Sequence, residues 1–368
     1  MTDGGTRSDA PAAPEVAWFS ALCDDDHRWL GVAEPELRSS FEHCADIVEA
    51  ADRSGFDGVL LPSGYDLGID PVAFAGGVAR STRQINLLLA VRCGELWPPQ
   101  LARQLATIDQ MLSGSGTGRR LDINIISSDL PGAPMAGEPR YERTREVMSI
   151  LRTLLAGRPI EHHGAHYDLT LEAPRIAREM AERRGGVAPL LYFGGLSPAA
   201  RDVAAEQADV FLMWPDTLPA IGAILDDLRR RATGYRRSLR FGYRVHVIVR
   251  ESEAGARAAA EELVSRLEPD QGEAIRARSL DASSSGVARQ GELRDAADAD
   301  GYVEEHLWTG IGRARSGCGA AIVGDPDQVV AKLRAYQALG IDSFILSGYP
   351  HRDECDLVAR HVLPALRA

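Results

Sequence analysis

Lysine is all but missing from this chain. Lys332 is the sole lysine among 41 basic residues, and the rest are arginine. It lies in a polar-faced helical pattern after Asp325, so neither a Schiff-base lysine nor a phosphate-loop lysine is expected. Cysteine is scarce. Cys23, Cys44, Cys93, Cys318 and Cys355 are odd in number and show no CxxC spacing. That pattern disfavours a disulfide framework or a zinc site, and a reducing cytoplasm suits it. No GxGxxG follows the first candidate strand. The string at Gly114–Gly118 has the wrong spacing and precedes a strand, so the dinucleotide fingerprint is absent. Positive charge is short too: the formal net charge is −12, which argues against a nucleic-acid partner. There is no apolar run of about 18 residues, so no membrane span is expected. Residues 1–15 are polar and Pro/Ala-rich. They lack the apolar core of a signal peptide and read as a disordered tail.

What is present is a long alternation of apolar runs and helical patterns. The chain has 368 residues, 45% of them hydrophobic, enough for a large core. Candidate strands are 17–22, 58–61, 85–91, 121–126, 190–193, 210–213, 240–249 and 343–346. Most are continuous apolar stretches, as in strands buried on both faces. Helical patterns fall between them: 36–54, 71–81, 98–112, 140–155, 197–208, 218–233, 252–267 and 325–339. Eight strand–helix units predict an α/β fold, a (β/α)8 TIM barrel, over an open doubly wound sheet. One domain spans 16–368, with insertions. Residues 157–189 carry a small hairpin and a basic helix. His162, His163 and His166 fall in that hairpin, and no metal is assigned to them. Residues 268–324 are too long for a passive connection and read as an active-site lid, with Gly310, Gly312, Gly317 and Gly319 allowing hinge motion.

Four constellations carry candidate chemistry. After the strand ending at Phe193, Gly194 and Gly195 make a turn, Ser197 is a good N-cap and Pro198 suits the first helical turn. Such a helix start is either an ordinary capped loop or an anion site for a phosphate. In FGYRVHVIVRE, Arg244 and His246 share one strand face. If buried, they need an anionic ligand or a carboxylate partner. Arg313 and Arg315 lie at the Gly-rich end of the lid, where they reach an anion or stay solvated. Tyr349 places a phenol at the end of the last strand, as catalyst or as rim packing.

Together the strings AADRSGFDGVLLPSG (50–64), ARQLATIDQML (102–112), LLYFGG (190–195), FGYRVHVIVRE (241–251) and SGYPH (347–351) resemble the alkanesulfonate monooxygenase branch of the bacterial-luciferase-like flavin enzymes. The resemblance runs from about Ala17 to Pro364. It implies a barrel enzyme in a two-component system. A separate NAD(P)H-dependent flavin reductase supplies reduced FMN (FMNH2). The monooxygenase uses it with O2, through a peroxyflavin, to oxygenate a small organic and often anionic substrate. In the sulfonate-cleaving members the products are an aldehyde and sulfite. The resemblance makes Arg244, His246, Arg315 and Tyr349 the catalytic set. It puts Asn124, Ser127 and Trp214 beside the isoalloxazine, and Tyr141, Gly194, Gly195, Leu196 and Ser197 at the phosphate. It also implies a homodimer or homotetramer. Two departures stand out. The family's cysteine after the second strand is missing near Leu67, where Asp66 is new, and Leu196 replaces a hydroxyl residue. The resemblance makes desulfonation of an alkanesulfonate the expected reaction, and the missing cysteine counts against a sulfonate substrate. The alternatives are N-hydroxylation or Baeyer–Villiger oxygenation of a secondary metabolite, and F420-dependent redox chemistry.

Overall fold

The structure is a computed structural model that describes residues 13–65, 68–114, 118–135, 137–277 and 284–368. Most of the expected N-terminal tail lies outside the described residues, as do Asp66, Leu67 and residues 115–117 of the Gly114–Gly118 string.

Eight parallel strands close into a barrel. They are β1 (Glu15–Phe19), β2 (Gly58–Leu61), β3 (Asn86–Arg92), β4 (Leu121–Ile126), β7 (Leu191–Phe193), β8 (Val210–Met213), β9 (Arg240–Val249) and β13 (Ser343–Ser347). Neighbours pair in that order, and β9 closes the ring between β8 and β13. Their residues are apolar on both faces because one face fills the interior and the other meets the helices. Gly58–Leu61 and Ser343–Ser347 are buried throughout. All eight strands match the sequence expectation, with ends shifted by a few residues. β1 takes in Glu15, the last residue of the expected tail.

The helices α1 (Phe41–Arg53), α2 (Pro71–Ser81), α3 (Pro98–Ser113), α4 (Glu138–Leu155), α6 (Pro198–Gln207), α7 (Leu218–Gly234), α8 (Glu253–Val264), α11 (Pro326–Leu339), α12 (His351–His361) and α13 (Leu363–Arg367) form the outer layer. Local chemistry sets several starts. Asp325 and Gln328 make a reciprocal capping box at α11. Ser40 caps α1 by accepting from His43 N. That cap is why the helix expected from Glu36 begins at Phe41 instead, with only a short 3-10 turn at Pro35–Leu37 before it.

Between α4 and β7 stand the hairpin β5 (Ile160–His163) and β6 (Asp168–Leu171), then α5 (Arg175–Arg183). The histidines there bond carboxylates: His162 Nε2 to Glu146 at 3.0 Å and His163 Nδ1 to Asp168 at 2.7 Å. No group of three or more His, Cys, Asp or Glu side chains is placed to hold a metal ion among the described residues. No helix among them is long and apolar enough to cross a membrane.

The 268–324 segment has its own structure. It holds α9 (Pro269–Ala277), α10 (Ser285–Asp295), β10 (Tyr302–Glu304), β11 (Leu307–Trp308), a 3-10 turn at Gly310–Arg313 and β12 (Ala321–Gly324). β12 pairs in parallel with the far half of β9, and β11 and β10 extend it. Its end is thus a strand of the sheet. Three of its expected hinge glycines serve close packing. Gly312 N bonds Gly319 O at 2.7 Å, and a Cβ on Gly317 would lie 3.1 Å from the Trp214 ring.

Candidate active site

The carboxyl ends of the strands open into a cavity of about 450 Å³. This is the face on which barrel enzymes carry their chemistry. Asn124, Ser127, Tyr141, Gly194, Gly195, Leu196, Ser197, Trp214, Arg244, Arg315 and Tyr349 all line it. His246 does not.

One end is a cradle built by backbone. A Cβ on Gly194 would lie 2.2 Å from Leu212 O, and one on Gly195 would lie 2.6 Å from Ala200 Cβ. Only glycine fits the turn, which brings main chain to the cavity wall. Ser197 caps α6 through Ala200 N at 3.2 Å and bonds Tyr141 OH at 3.0 Å. Ser127 Oγ and Thr144 Oγ1 are hydrogen-bonded at 2.7 Å. Arg140, which the sequence reading passed over, lines the same end. Its Nε is buried without a hydrogen bond, and its guanidinium carbon sits 5.2 Å from the Tyr141 ring centroid. A helix start, hydroxyls and a spare guanidinium N–H together suit a dianionic phosphate.

The other end is held by long-range contacts. Arg244 is 4% exposed. It touches the Phe19 ring, with its guanidinium carbon 4.0 Å from the centroid. Its Nε and Nη2 make no hydrogen bond, and no carboxylate lies within ion-pair distance of it among the described residues. Burial lowers its pKa, and the charge of Arg315 adds to that. Of the two partners the strand pattern required, the carboxylate is absent. The donors are left for a ligand.

Arg315 behaves oppositely. Its Nη1 donates to Asp25 Oδ2 at 2.7 Å and to Tyr349 OH at 2.8 Å. Burial opposes its charge, but Tyr349 and Asp25 together raise its pKa. Burial also pushes at Asp25, yet Arg315, His351 and Arg244 outweigh it and hold the carboxyl below its ordinary value. Burial pushes the Tyr349 phenol up to about 12, so it keeps its proton at neutral pH. Asp25 was not foreseen. It sits in an acidic loop, CDDDH, that carries no motif. Arg313 is exposed, and only its backbone oxygen is engaged, by Arg276.

His246 lies one layer behind the wall. It is fully buried, and its ring stacks on Tyr349 at 5.0 Å. In the β9–β13 register His246 faces Ser347, which explains the 2.9 Å bond between its Nδ1 and Ser347 Oγ. Burial, then the charges of Arg244 and Arg315, lower its pKa well below the usual imidazole value. It is neutral at physiological pH. Behind Tyr349 sits a second buried ring, His351, whose Nδ1 contacts Asp26 at 3.0 Å.

The insertion roofs the cavity. Arg289 on α10 pairs with Asp216 after β8 through two contacts of 2.7 and 2.9 Å. Gln290 bonds Pro215 O at 2.8 Å and accepts from Gly319 N at 3.1 Å. Trp214 is packed under Gly286 and Gly317.

A closed parallel barrel with a capped helix start at one side of its mouth and spare guanidinium donors at the other is the architecture of the barrel enzymes, with a mouth suited to anionic ligands. Comparison with known proteins makes this specific. The luciferase-like monooxygenase family model matches residues 20–343. The chain is 59% identical over 352 residues to sulfoquinovose monooxygenase of Novosphingobium aromaticivorans, covering 95% of this chain and 96% of that one. It is 48% identical over 362 residues to sulfoquinovose monooxygenase of Agrobacterium fabrum, covering 98% and 92%. EDTA monooxygenase from Chelativorans sp. BNC1 shares the fold alone, with a TM-score of 0.73 at 16% identity over 96% of this chain and 93% of that one. The chain belongs to the luciferase-like monooxygenase family and is an oxidoreductase.

Proposed function

We propose that this protein is a reduced-FMN-dependent monooxygenase that cleaves the carbon–sulfur bond of sulfoquinovose. The substrate follows from the two curated relatives, each named for it and each matched over nearly its whole length. The observation that carries the reading is Arg244, a buried guanidinium with free N–H groups and no acid among the described residues to neutralise it. A sulfonate supplies both the charge and the acceptors. This narrows the expected substrate from alkanesulfonates in general to a hexose bearing the sulfonate on its terminal carbon.

The cavity fits FMN. The phosphate would lie at Arg140, Tyr141 and the Gly194–Ser197 turn, and the ring system would lie among Asn124, Ser127 and Trp214. Bound reduced flavin supplies two electrons with which O2 is activated. One oxygen atom ends in the sugar aldehyde and the other in water, and sulfite leaves with the electrons of the carbon–sulfur bond. Arg244 holds the sulfonate. Arg315, fixed by Asp25, donates to Tyr349 oxygen and orients that phenol as the proton source. Neutral His246, anchored by Ser347, supports Tyr349 from behind. The α10 roof, latched through Arg289 and Asp216, excludes water. A separate NAD(P)H-dependent flavin reductase in the cytoplasm provides the reduced cofactor.

The test is sulfite release. With FMN, a flavin reductase, NAD(P)H and oxygen, sulfoquinovose should yield one sulfite per turnover, and nothing without oxygen. No sulfite from sulfoquinovose or from any simple alkanesulfonate overturns the reading.

A further inference from the structure

Arg244 shares the barrel mouth with a second arginine that has donors to spare. Arg92 ends β3, and its side chain is 4% exposed. Its Nη2 reaches Ser63 O at 3.4 Å, while Nε and Nη1 make no hydrogen bond. Glu95 Oε1 stands 3.1 Å from Nε, but the contact lacks hydrogen-bond geometry. Glu95 itself is about one-third exposed. A second cavity, about 520 Å³, opens here beside the first. Glu95 lines it, and Ser63, Tyr65 and Arg92 line both cavities.

Much of the chamber's wall is apolar, with Ile69, Leu96 and Leu101 among its lining, and the Arg92–Glu95 ion pair at 3.1 Å forms a charged patch on it. An alkyl chain laid over that patch would leave the unbonded Arg92 N–H groups without an acceptor and give the Glu95 carboxylate no further donor. Sugar hydroxyls answer both needs at once. Each accepts from a guanidinium N–H and donates to a carboxylate oxygen. Burial pushes Glu95 above its ordinary value while Arg92 pulls it back. We propose that Arg92 and Glu95 bind the hydroxyls of the hexose ring and select a sugar sulfonate over a simple alkanesulfonate. This rests on the sulfonate reading above and adds a second site to it, separate from Arg244.

Calorimetric titration of the FMN-loaded protein tests it, with sulfoquinovose and hexane-1-sulfonate as ligands. Glu95→Ala removes the partly exposed partner, and Arg92→Met keeps the bulk of the buried one. Each should weaken sulfoquinovose by about tenfold or more and leave hexane-1-sulfonate within about twofold, with the melting temperature of Glu95→Ala unchanged. Equal loss for both ligands, or no loss for either, overturns the assignment while leaving the sulfonate reading intact. If the unmodified protein binds neither ligand, the sulfonate reading falls and the assignment falls with it.

Discussion

At the amino end of the barrel, arginine is matched to acid. Arg120 contacts Glu15 and donates to Asp122 at 2.7 Å, and Arg240 lies 3.4 Å from Glu15 and 3.3 Å from Asp342. Asp52 accepts the backbone N–H groups of Arg83, Gln84 and Ile85 at 2.7–2.8 Å. At the carboxyl end, Arg244 has free donors and no carboxylate among the described residues, and Arg92 pairs with Glu95 at 3.1 Å yet keeps unbonded N–H groups. Arg120 and Arg240 serve cohesion at the amino end, and so do Arg315 and Arg289 at the mouth; Arg244 is the mouth arginine left waiting for a ligand. A buried, uncompensated charge costs stability, so its survival at the mouth marks a group whose partner arrives with the substrate.

Substitutions at the two ends should therefore part company. The largest effect is expected at the mouth. Arg244→Ala should lower sulfite turnover by about 10²–10³-fold, or about 2.7–4 kcal/mol of transition-state stabilisation. Its melting temperature should hold or rise, because no internal partner is stranded. Parallel loss of melting temperature would show Arg244 to be structural and erase the contrast. At the opposite end, Asp52→Ala strands three N–H groups. It should cost about 1–3 kcal/mol in chemical denaturation and leave kcat/KM near that of the parent.

Ser197→Ala sits between the two cases, since Ser197 is both a helix cap and a cradle residue. About 1 kcal/mol of stability should be lost, together with a severalfold weaker FMN affinity by fluorescence titration. Loss of stability with unchanged affinity would reduce the cradle to a cap. The smallest effect concerns Tyr349. With its pKa near 12, above the unfolded value of 10, its contribution to stability is full below pH 10 and fades as pH rises towards 12. Phenolate absorbance of the parent minus Tyr349→Phe should show no step below about pH 11. A step near pH 10 would place the phenol in solvent.

How much of this was legible in the chain divides along the same axis. The cradle could be read because it is local. Gly194, Gly195, Ser197 and Pro198 lie within five residues, and a glycine turn feeding a capped helix follows from backbone geometry. Arg244 and His246 could be placed on one strand face, but not separated by depth. His246 faces Ser347 across the sheet and drops behind Tyr349, while Arg244 reaches the cavity. Asp25 escaped notice because it meets Arg315 across 290 residues. Arg92 and Glu95 fall just past the expected strand 85–91 and belong to no motif, so neither was singled out.

The order of strands and helices, and hence the closed barrel, was written in the spacing of apolar runs, since burial on both faces leaves a continuous signature in the chain. The capped turn at Gly194–Ser197 was equally explicit. Which arginines are paired and which are free was not written there. Pairing depends on distances between segments hundreds of residues apart, and only closure of the ring brings Asp25 to Arg315 while leaving Arg244 without an acid among the described residues.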